Sequence, residues 1–209
     1  MRGFYRAVKR FLDVTASFLG LVLLSPLLLA VSILIKIDSR GPVIFRQKRI
    51  GRNGKVFEIY KFRSMCVGAE KTGSGVYSGK GDARVTRIGK ILRATSIDEL
   101  PQLLNIIKGD MSLVGPRPER PEIAKEYEKE IPEFAFRLKV KAGLTGYAQI
   151  YGKYNTTFYD KLKMDLMYIR NYSLLLDLKL ILMTPKILLM KESTEGVADE
   201  KEDPNSACS

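Results

Sequence analysis

Residues Phe11 to Ile35 read FLDVTASFLGLVLLSPLLLAVSILI, an apolar run of 25 residues whose one charged side chain is Asp13. A helix rises about 1.5 Å per residue, so a run of this length can span a bilayer. It is too long for a signal peptide, and no small-residue cleavage site follows it. The sequence therefore predicts that residues 1–38 form a membrane anchor.

Two features distinguish this run from a plain transmembrane helix. Ser25 and Pro26 stand near its middle, where a proline removes a helical hydrogen bond and favours a kink. Both flanks are basic, whereas a single span is expected to carry its basic residues on the cytoplasmic side. A re-entrant segment, which bends at Ser25 and Pro26 and leaves by the same face, would place both basic flanks on the cytoplasmic side. A single transmembrane span is the alternative interpretation. The flanking residues are Arg2, Arg6, Lys9 and Arg10 before the run and Lys36, Arg40, Arg46, Lys48 and Arg49 after it.

The charge balance of the chain indicates an anionic partner. Its 209 residues carry a net charge of +12 and include no histidine. Such a basic protein is expected to bind nucleic acid, a phosphorylated substrate or a membrane surface. Because histidine is absent, acid–base chemistry and metal binding must fall to carboxylates, lysines, arginines, hydroxyls or the two cysteines.

The chain after the anchor is predicted to be mixed α/β, with helices dominant. Two short strands, Pro42 to Arg46 and Lys55 to Phe62, are joined by an Asn-Gly turn and predict a small β-hairpin. Apolar spacing predicts helices, including amphipathic ones that lie at the membrane interface. The predicted helices cover Val85 to Arg93, Leu100 to Ile107, Glu122 to Glu133, Phe158 to Tyr172 and Ser173 to Met190.

The remaining segments set the domain boundaries. The glycine-rich stretch Gly68 to Gly81 does not have the spacing of a P-loop and is predicted to be a flexible loop. Residues 39–191 are expected to form one cytosolic domain, which is long enough to bury a core. Residues 192–209 are acidic and polar, and they are expected to be a disordered tail.

The acidic pair Asp98 and Glu99 allows two interpretations. Acids in a first helical turn face free N–H groups, and Ser96 with Glu99 fits a capping box, so the pair could cap the following helix. The alternative is a reactive site, because arginines surround the pair in the sequence. Arg93 precedes Asp98 by five residues. Arg117 lies between two prolines, which is typical either of a rigid turn or of an arginine positioned to bind phosphate.

Three further side chains are weaker candidates. Asp165 falls on the apolar face of a predicted helix, where an acid needs either a salt-bridge partner or a function. Tyr147 and Gln149 lie in a glycine-punctuated stretch, Lys141 to Gln149, whose polar groups could contact a ligand.

Taken in order, these motifs resemble the bacterial sugar transferase family, the monotopic polyprenyl-phosphate phosphoglycosyl transferases. The resemblance runs from about Lys9 to Met190 and is to the small form, a catalytic domain without extra transmembrane helices. Arg40 and Tyr172 depart from residues that are common in the family. The motifs are Lys9 to Asp13, Ser25-Pro26, Gly41-Pro42, Phe45 to Gln47, Lys61 to Met65, Thr86 to Gly89, Asp98 to Gln102, Gly109 to Pro118 and Gly143 to Gly146.

The resemblance implies a two-step phosphoryl transfer. Asp98 would attack the sugar-bearing phosphate of a UDP-sugar and release UMP, and undecaprenyl phosphate would then take the phosphosugar from the aspartate. Glu99 would be a ligand of Mg²⁺, the implied cofactor. For the phosphate contacts that such a reaction needs, the candidates are Arg93 and Arg117, followed by Lys61 and Arg63. For nucleotide-sugar contacts the candidates are Gln149, Tyr147 and Asp165.

The resemblance also implies a place in the cell. The protein would be monotopic at the cytoplasmic face of the bacterial inner membrane, and it would initiate lipid-linked glycan assembly with downstream glycosyltransferases. Its partners would be a UDP-sugar, polyprenyl phosphate and membrane lipid, with no nucleic acid, and a homodimer is compatible with this reading. Two alternatives stay open: a non-catalytic membrane-anchored basic scaffold, and a phosphohydrolase that uses Asp98 with water as the acceptor.

Overall fold

The computed structural model describes residues 2–69, 82–152 and 156–189. Most of the predicted glycine-rich loop and the whole predicted tail, residues 192–209, lie outside this range. Seven helices and four short strands confirm a helix-dominated α/β architecture. The helices are α1 Arg2–Asp38, α2 Arg87–Ala94, α3 Gln102–Lys108, α4 Pro121–Glu130, α5 Tyr147–Tyr151, α6 Phe158–Arg170 and α7 Leu174–Leu189, and the strands are β1 Ile44–Ile50, β2 Val56–Phe62, β3 Met111–Val114 and β4 Ala142–Thr145.

Strands β1 and β2 form the predicted antiparallel hairpin. Ile44 pairs with Phe62 at one end and Ile50 pairs with Val56 at the other. The connecting turn places Asn53 in the left-handed region at φ 58°, which asparagine tolerates better than most residues. Strand β1 extends four residues beyond the predicted end at Arg46, so the hairpin is longer than the sequence indicated.

Strands β3 and β4 form a parallel pair that the sequence did not predict. Met111 pairs with Ala142 and Val114 with Thr145. The two backbones pass so closely that a Cβ on Gly143 would lie 2.1 Å from the backbone nitrogen of Gly115. Four-residue strands next to glycines give no readable period, and the stretch that contains β4 and α5 was predicted only as a loop.

Helix α1 packs along the rest of the protein at both of its ends. Near its start, the Lys9 ammonium lies 2.7 Å from the Asp177 carboxylate of α7, and both side chains are buried. At its end, the Asp38 carboxylate accepts a hydrogen bond of 3.0 Å from the backbone N–H of Ile88 in α2. Val31 and Ile35 join the same apolar cluster as Phe62 and Leu92. The anchor is therefore a structural part of the domain.

The opposite face of α1 is apolar and exposed. By length and composition, α1 is the one helix among the described residues that could cross a membrane. Most of its large apolar side chains face outwards, as a lipid-facing surface requires. Phe11, Phe18, Leu19, Val22, Leu23, Leu29, Ile33 and Leu34 are all at least 45% exposed.

The predicted interruption at Ser25 and Pro26 is not present as a break in the helix. Helix α1 continues through Pro26. A proline has no N–H to donate to the carbonyl four residues earlier, which is that of Val22. The Ser25 hydroxyl donates to this same carbonyl at 2.8 Å and replaces the missing bond. Ser25 thus explains how the helix tolerates Pro26.

Replacing Gly89 by Ala is expected to separate α2 from the strand region. A Cβ at residue 89 would lie 2.0 Å from the carbonyl oxygen of Ser64, and rigid backbone cannot yield cheaply. We expect the free energy of unfolding to fall by about 2 kcal/mol, as in other overpacked sites, and thermal unfolding would measure it. Gly20→Ala is the matched control, because its Cβ would meet only Leu103 at 3.4 Å; equal melting temperatures for the two variants would contradict the prediction.

Candidate active site

The acidic pair lies on a short 3-10 turn, Ile97–Glu99, between α2 and α3. Ser96 enters the turn in the left-handed region at φ 55°, an uncommon conformation for a residue other than glycine. Helix α3 begins only after Pro101, and no side chain caps its N-terminus. The capping interpretation of Asp98 and Glu99 is therefore wrong, and the turn leaves both carboxylates free for other contacts.

Glu99 lies between two cations. Its Oε1 atom accepts hydrogen bonds of 2.7 Å from Lys61 on β2 and 2.7 Å from Arg117, and Oε2 receives a longer contact of 3.4 Å from Arg117. Burial opposes ionisation of Glu99, but Arg117 and Lys61 together hold its pKa well below the usual range. Glu99 is thus ionised at neutral pH, and it fixes both cations near Asp98.

Asp98 has the opposite environment. It is 8% exposed, and no residue in the described part of the chain hydrogen-bonds or ion-pairs with its carboxylate. Burial raises the pKa of Asp98 to about 6, while the charges of Lys61, Arg93 and Arg117 limit the rise. At neutral pH the carboxylate is therefore ionised but poorly solvated, which favours its use as a nucleophile.

The four predicted phosphate-binding cations divide into two groups. Lys61 and Arg117 contact Glu99, and Arg93 lies close enough to Asp98 to affect its pKa, while its Nε donates to the Ser64 hydroxyl at 2.9 Å. Arg63 has a different role. Its buried guanidinium donates to the carbonyls of Arg40 and Ser39 at 2.6 Å each, so it fastens the chain after α1. We therefore leave Arg63 out of the site.

The backbone of Arg117 is fixed by a buried ion pair between Arg137 and Asp165. Arg137 donates through Nη2 to the backbone carbonyl of Arg117 at 3.0 Å and to the Asp165 carboxylate at 2.7 Å. Asp165 is 2% exposed, so its salt bridge is the structural one that the sequence left open. Arg137 was missed by the sequence analysis, because an isolated arginine in a charged stretch carries no signal of its own.

Comparison with known proteins identifies the family of the chain. The family model described as bacterial sugar transferase matches residues 4–191. The chain belongs to this family. An Aeromonas hydrophila UDP-N-acetylgalactosamine-undecaprenyl-phosphate N-acetylgalactosaminephosphotransferase is 44% identical over 188 residues, which are 88% of this chain and 44% of that protein. A Caulobacter vibrioides UDP-glucose:undecaprenyl-phosphate glucose-1-phosphate transferase is 46% identical over 191 residues, 88% of this chain and 71% of that protein.

Other relatives differ in length. A Rhizobium leguminosarum bv. phaseoli exopolysaccharide production protein is 40% identical over 197 residues, which are 90% of this chain and 96% of that protein. By contrast, the chain spans less than half the length of the Aeromonas protein.

The residues predicted to contact a nucleotide sugar lie on α5 and α6. Tyr147 packs its ring 4.5 Å from the ring of Tyr151. Gln149 donates to the carbonyl of Leu144 at 3.1 Å, and its Oε1 has no hydrogen-bond partner in the described chain. None of these contacts involves the acidic pair, so a role for Tyr147 and Gln149 in sugar binding stays a prediction.

Glu99 is the residue of the acidic pair that would hold the expected magnesium ion, together with substrate oxygens. The described residues contain no group of three or more potential metal-ligating side chains. Mg²⁺ commonly takes only one or two carboxylates and completes its shell with water and substrate phosphates. Glu99 is ionised, and its Oε2 has only the longer contact with Arg117, so it can supply a ligand.

Replacing Arg137 by Lys is expected to loosen Arg117. The Nη2 atom makes both of these contacts and Nη1 lies 3.6 Å from Glu119, so a shorter lysine with a single nitrogen cannot keep all three. We expect about tenfold lower turnover and a loss of about 2 kcal/mol in unfolding free energy, measured by an activity assay and thermal unfolding. Arg170→Lys, on an exposed part of α6, is the matched control, and equal behaviour of the two variants would refute this role.

Proposed function

We propose that the protein transfers a phosphosugar from a UDP-sugar to undecaprenyl phosphate and releases UMP through a covalent aspartyl intermediate. The single observation that carries this proposal is the buried, unpaired Asp98 beside the cation-bound Glu99. The names of the Aeromonas and Caulobacter relatives support the reaction class. A further role in initiating lipid-linked glycan assembly belongs to the same proposal.

In the first step, an Asp98 carboxylate oxygen attacks the phosphorus that carries the sugar. The bond from this phosphorus to the bridging oxygen breaks, and UMP leaves with the electron pair. In the second step, a phosphate oxygen of undecaprenyl phosphate attacks the same phosphorus, and the carboxylate of Asp98 is released. Both nucleophiles are already anions, so neither step requires a general base, which is consistent with a chain that has no histidine.

The cations make the approach of two anions feasible. An anionic carboxylate is repelled by a diphosphate, and fixed positive charge must offset this repulsion. Arg117 and Arg93 would supply that charge, while Glu99 keeps both Arg117 and Lys61 in place. Mg²⁺ held by Glu99 and substrate oxygens would contribute additional neutralisation when it is bound.

The direct test mixes purified protein with Mg²⁺ and a panel of UDP-sugars, with and without undecaprenyl phosphate. We expect repeated UMP release only when the lipid is present. Without lipid, we expect at most one UMP per protein and a phosphosugar adduct on Asp98 in the intact mass. Repeated UMP release without lipid would instead indicate a hydrolase, and absence of any UMP release across the panel would contradict the proposal.

We also propose that both ends of α1 lie on the cytoplasmic side of the membrane, with the exposed apolar face of this continuous helix in contact with lipid. The proposal is supported by the contacts of both ends of α1 with the same domain, at Asp177 and at Ile88. An epitope fused to the N-terminus should then resist protease in intact spheroplasts and be digested after lysis. Digestion in intact spheroplasts would show a single span.

A further inference from the structure

A small recess lies directly beside the cation-bound Glu99. We name it the Gln102 recess, and its lining consists of Arg49, Ile59, Lys61, Gln102, Arg117 and Pro118. Three of these six residues are cations and none is an acid. Lys61 and Arg117 also contact Glu99, so the recess and the acidic pair share two walls. An anion is the ligand that this lining suits.

Two donors in the lining lack acceptors. Gln102 is 2% exposed, and its amide nitrogen has no hydrogen-bond partner among the residues that the structure describes. The Nε of Arg49 is also buried and has no hydrogen-bond partner among the described residues. The two terminal nitrogens of Arg49 donate to Pro118 and Gln47. A buried donor without a partner is costly, and folded proteins retain few of them without a reason. Two in one recess suggest that a ligand supplies the acceptors.

The role of these donors rests on the function proposed above. We propose that the Gln102 recess binds a phosphate group of a substrate, with the amide of Gln102 and the guanidinium of Arg49 donating to its oxygens. A phosphate offers several acceptor oxygens and the negative charge that three cations require. It can come from the nucleotide diphosphate or from the lipid phosphate, since both must reach Asp98.

Gln102 is the better residue to change, because Arg49 also fixes the neighbouring loop through Pro118. Gln102→Met keeps the size of the side chain and removes the donor. Gln102→Glu keeps the shape and adds a negative charge. Lys129→Gln, on the exposed face of α4, changes the net charge by the same unit as Gln102→Glu and serves as its control.

Three quantities would be measured in the full-length protein. They are the dissociation constant of UDP with Mg²⁺ by calorimetry, the KM values for UDP-sugar and undecaprenyl phosphate, and the melting temperature. For Gln102→Met we expect roughly tenfold weaker binding of the phosphate source, a larger loss for Gln102→Glu, and an unchanged or higher melting temperature. A purely structural glutamine would lower the melting temperature and leave UDP binding intact.

The results separate the two phosphate sources. Weaker UDP binding assigns the recess to the nucleotide, whereas an unchanged UDP affinity with a raised KM for undecaprenyl phosphate assigns it to the lipid. If the affinity for UDP and the KM for undecaprenyl phosphate match wild type in both Gln102 variants, the recess is not a phosphate site. If wild-type protein itself binds no UDP and releases no UMP, the proposed function fails first, and this inference falls with it.

Discussion

Replacing Asp98 by Asn is expected to abolish transfer and to stabilise the protein. The amide cannot attack phosphorus, so UMP release should fall by at least about a thousandfold. At the same time the variant no longer buries a charge. A pKa raised from 3.8 to about 6 corresponds to a cost of about 3 kcal/mol for the ionised form at neutral pH, and the variant avoids this cost.

The sign of the pH dependence can be stated for Asp98. Its folded-state pKa is above its unfolded value, so the native state binds the proton more tightly and wild type loses stability as pH rises from about 4 to about 6. The advantage of Asp98→Asn should therefore be absent near pH 4 and complete above pH 6. Denaturant unfolding of metal-free protein across this range would measure it. Glu126→Gln, an exposed acid on α4, should show no such gain; a destabilised Asp98→Asn would contradict the argument.

Replacing Glu99 by Gln is expected to have the opposite effect on stability. The carboxylate of Glu99 accepts from Lys61 and Arg117, and its removal leaves two cations side by side without their anion. Breaking such a partly buried pair typically costs about 3 kcal/mol. Turnover should fall by about a hundredfold or more, because Arg117 loses its fixed position and the proposed metal loses its ligand.

The pH dependence of this variant distinguishes it from Asp98→Asn. Because the pKa of Glu99 is lowered in the folded protein, its contribution is present above its unfolded pKa and is lost as pH falls through the acidic range. The deficit of Glu99→Gln should thus be full at pH 7 and shrink in acid. Glu122→Gln, an exposed acid in the first turn of α4, serves as the control. Equal stability of Glu99→Gln and wild type at pH 7 would mean that the two cations do not depend on Glu99.

The elements that the sequence predicted well are those with a strong local signal. The long apolar run became α1, the Asn-Gly turn became the hairpin of β1 and β2, and Gly109 ends α3 at φ 97° as a glycine stop should. Asp98, Glu99 and Arg117 were candidates because acids and arginines recur in short, ordered motifs. In each case the prediction depends only on residues that are neighbours in the sequence.

The parts that were missed depend on contacts between distant residues. Arg137 is 20 residues from Arg117, yet it donates to the Arg117 carbonyl. Arg49 and Gln102 line one recess although 53 positions separate them in the chain. Arg63 stands two positions after Lys61 in the same motif, but it follows the end of β2 at Phe62, and its guanidinium donates to the Ser39 and Arg40 carbonyls just after α1. Contacts between residues this far apart in the chain cannot be predicted from local sequence patterns.

The packing of α1 has a practical consequence for purifying the protein. Deleting residues 1–38 would remove Lys9 from the buried Asp177 and strip Val31 and Ile35 from the cluster around Phe62 and Leu92. A truncated form would not be a water-soluble catalyst but a destabilised fragment with an exposed apolar surface. Purification should therefore keep the anchor and supply a detergent or lipid substitute for the bilayer, since the same helix also packs against the rest of the domain.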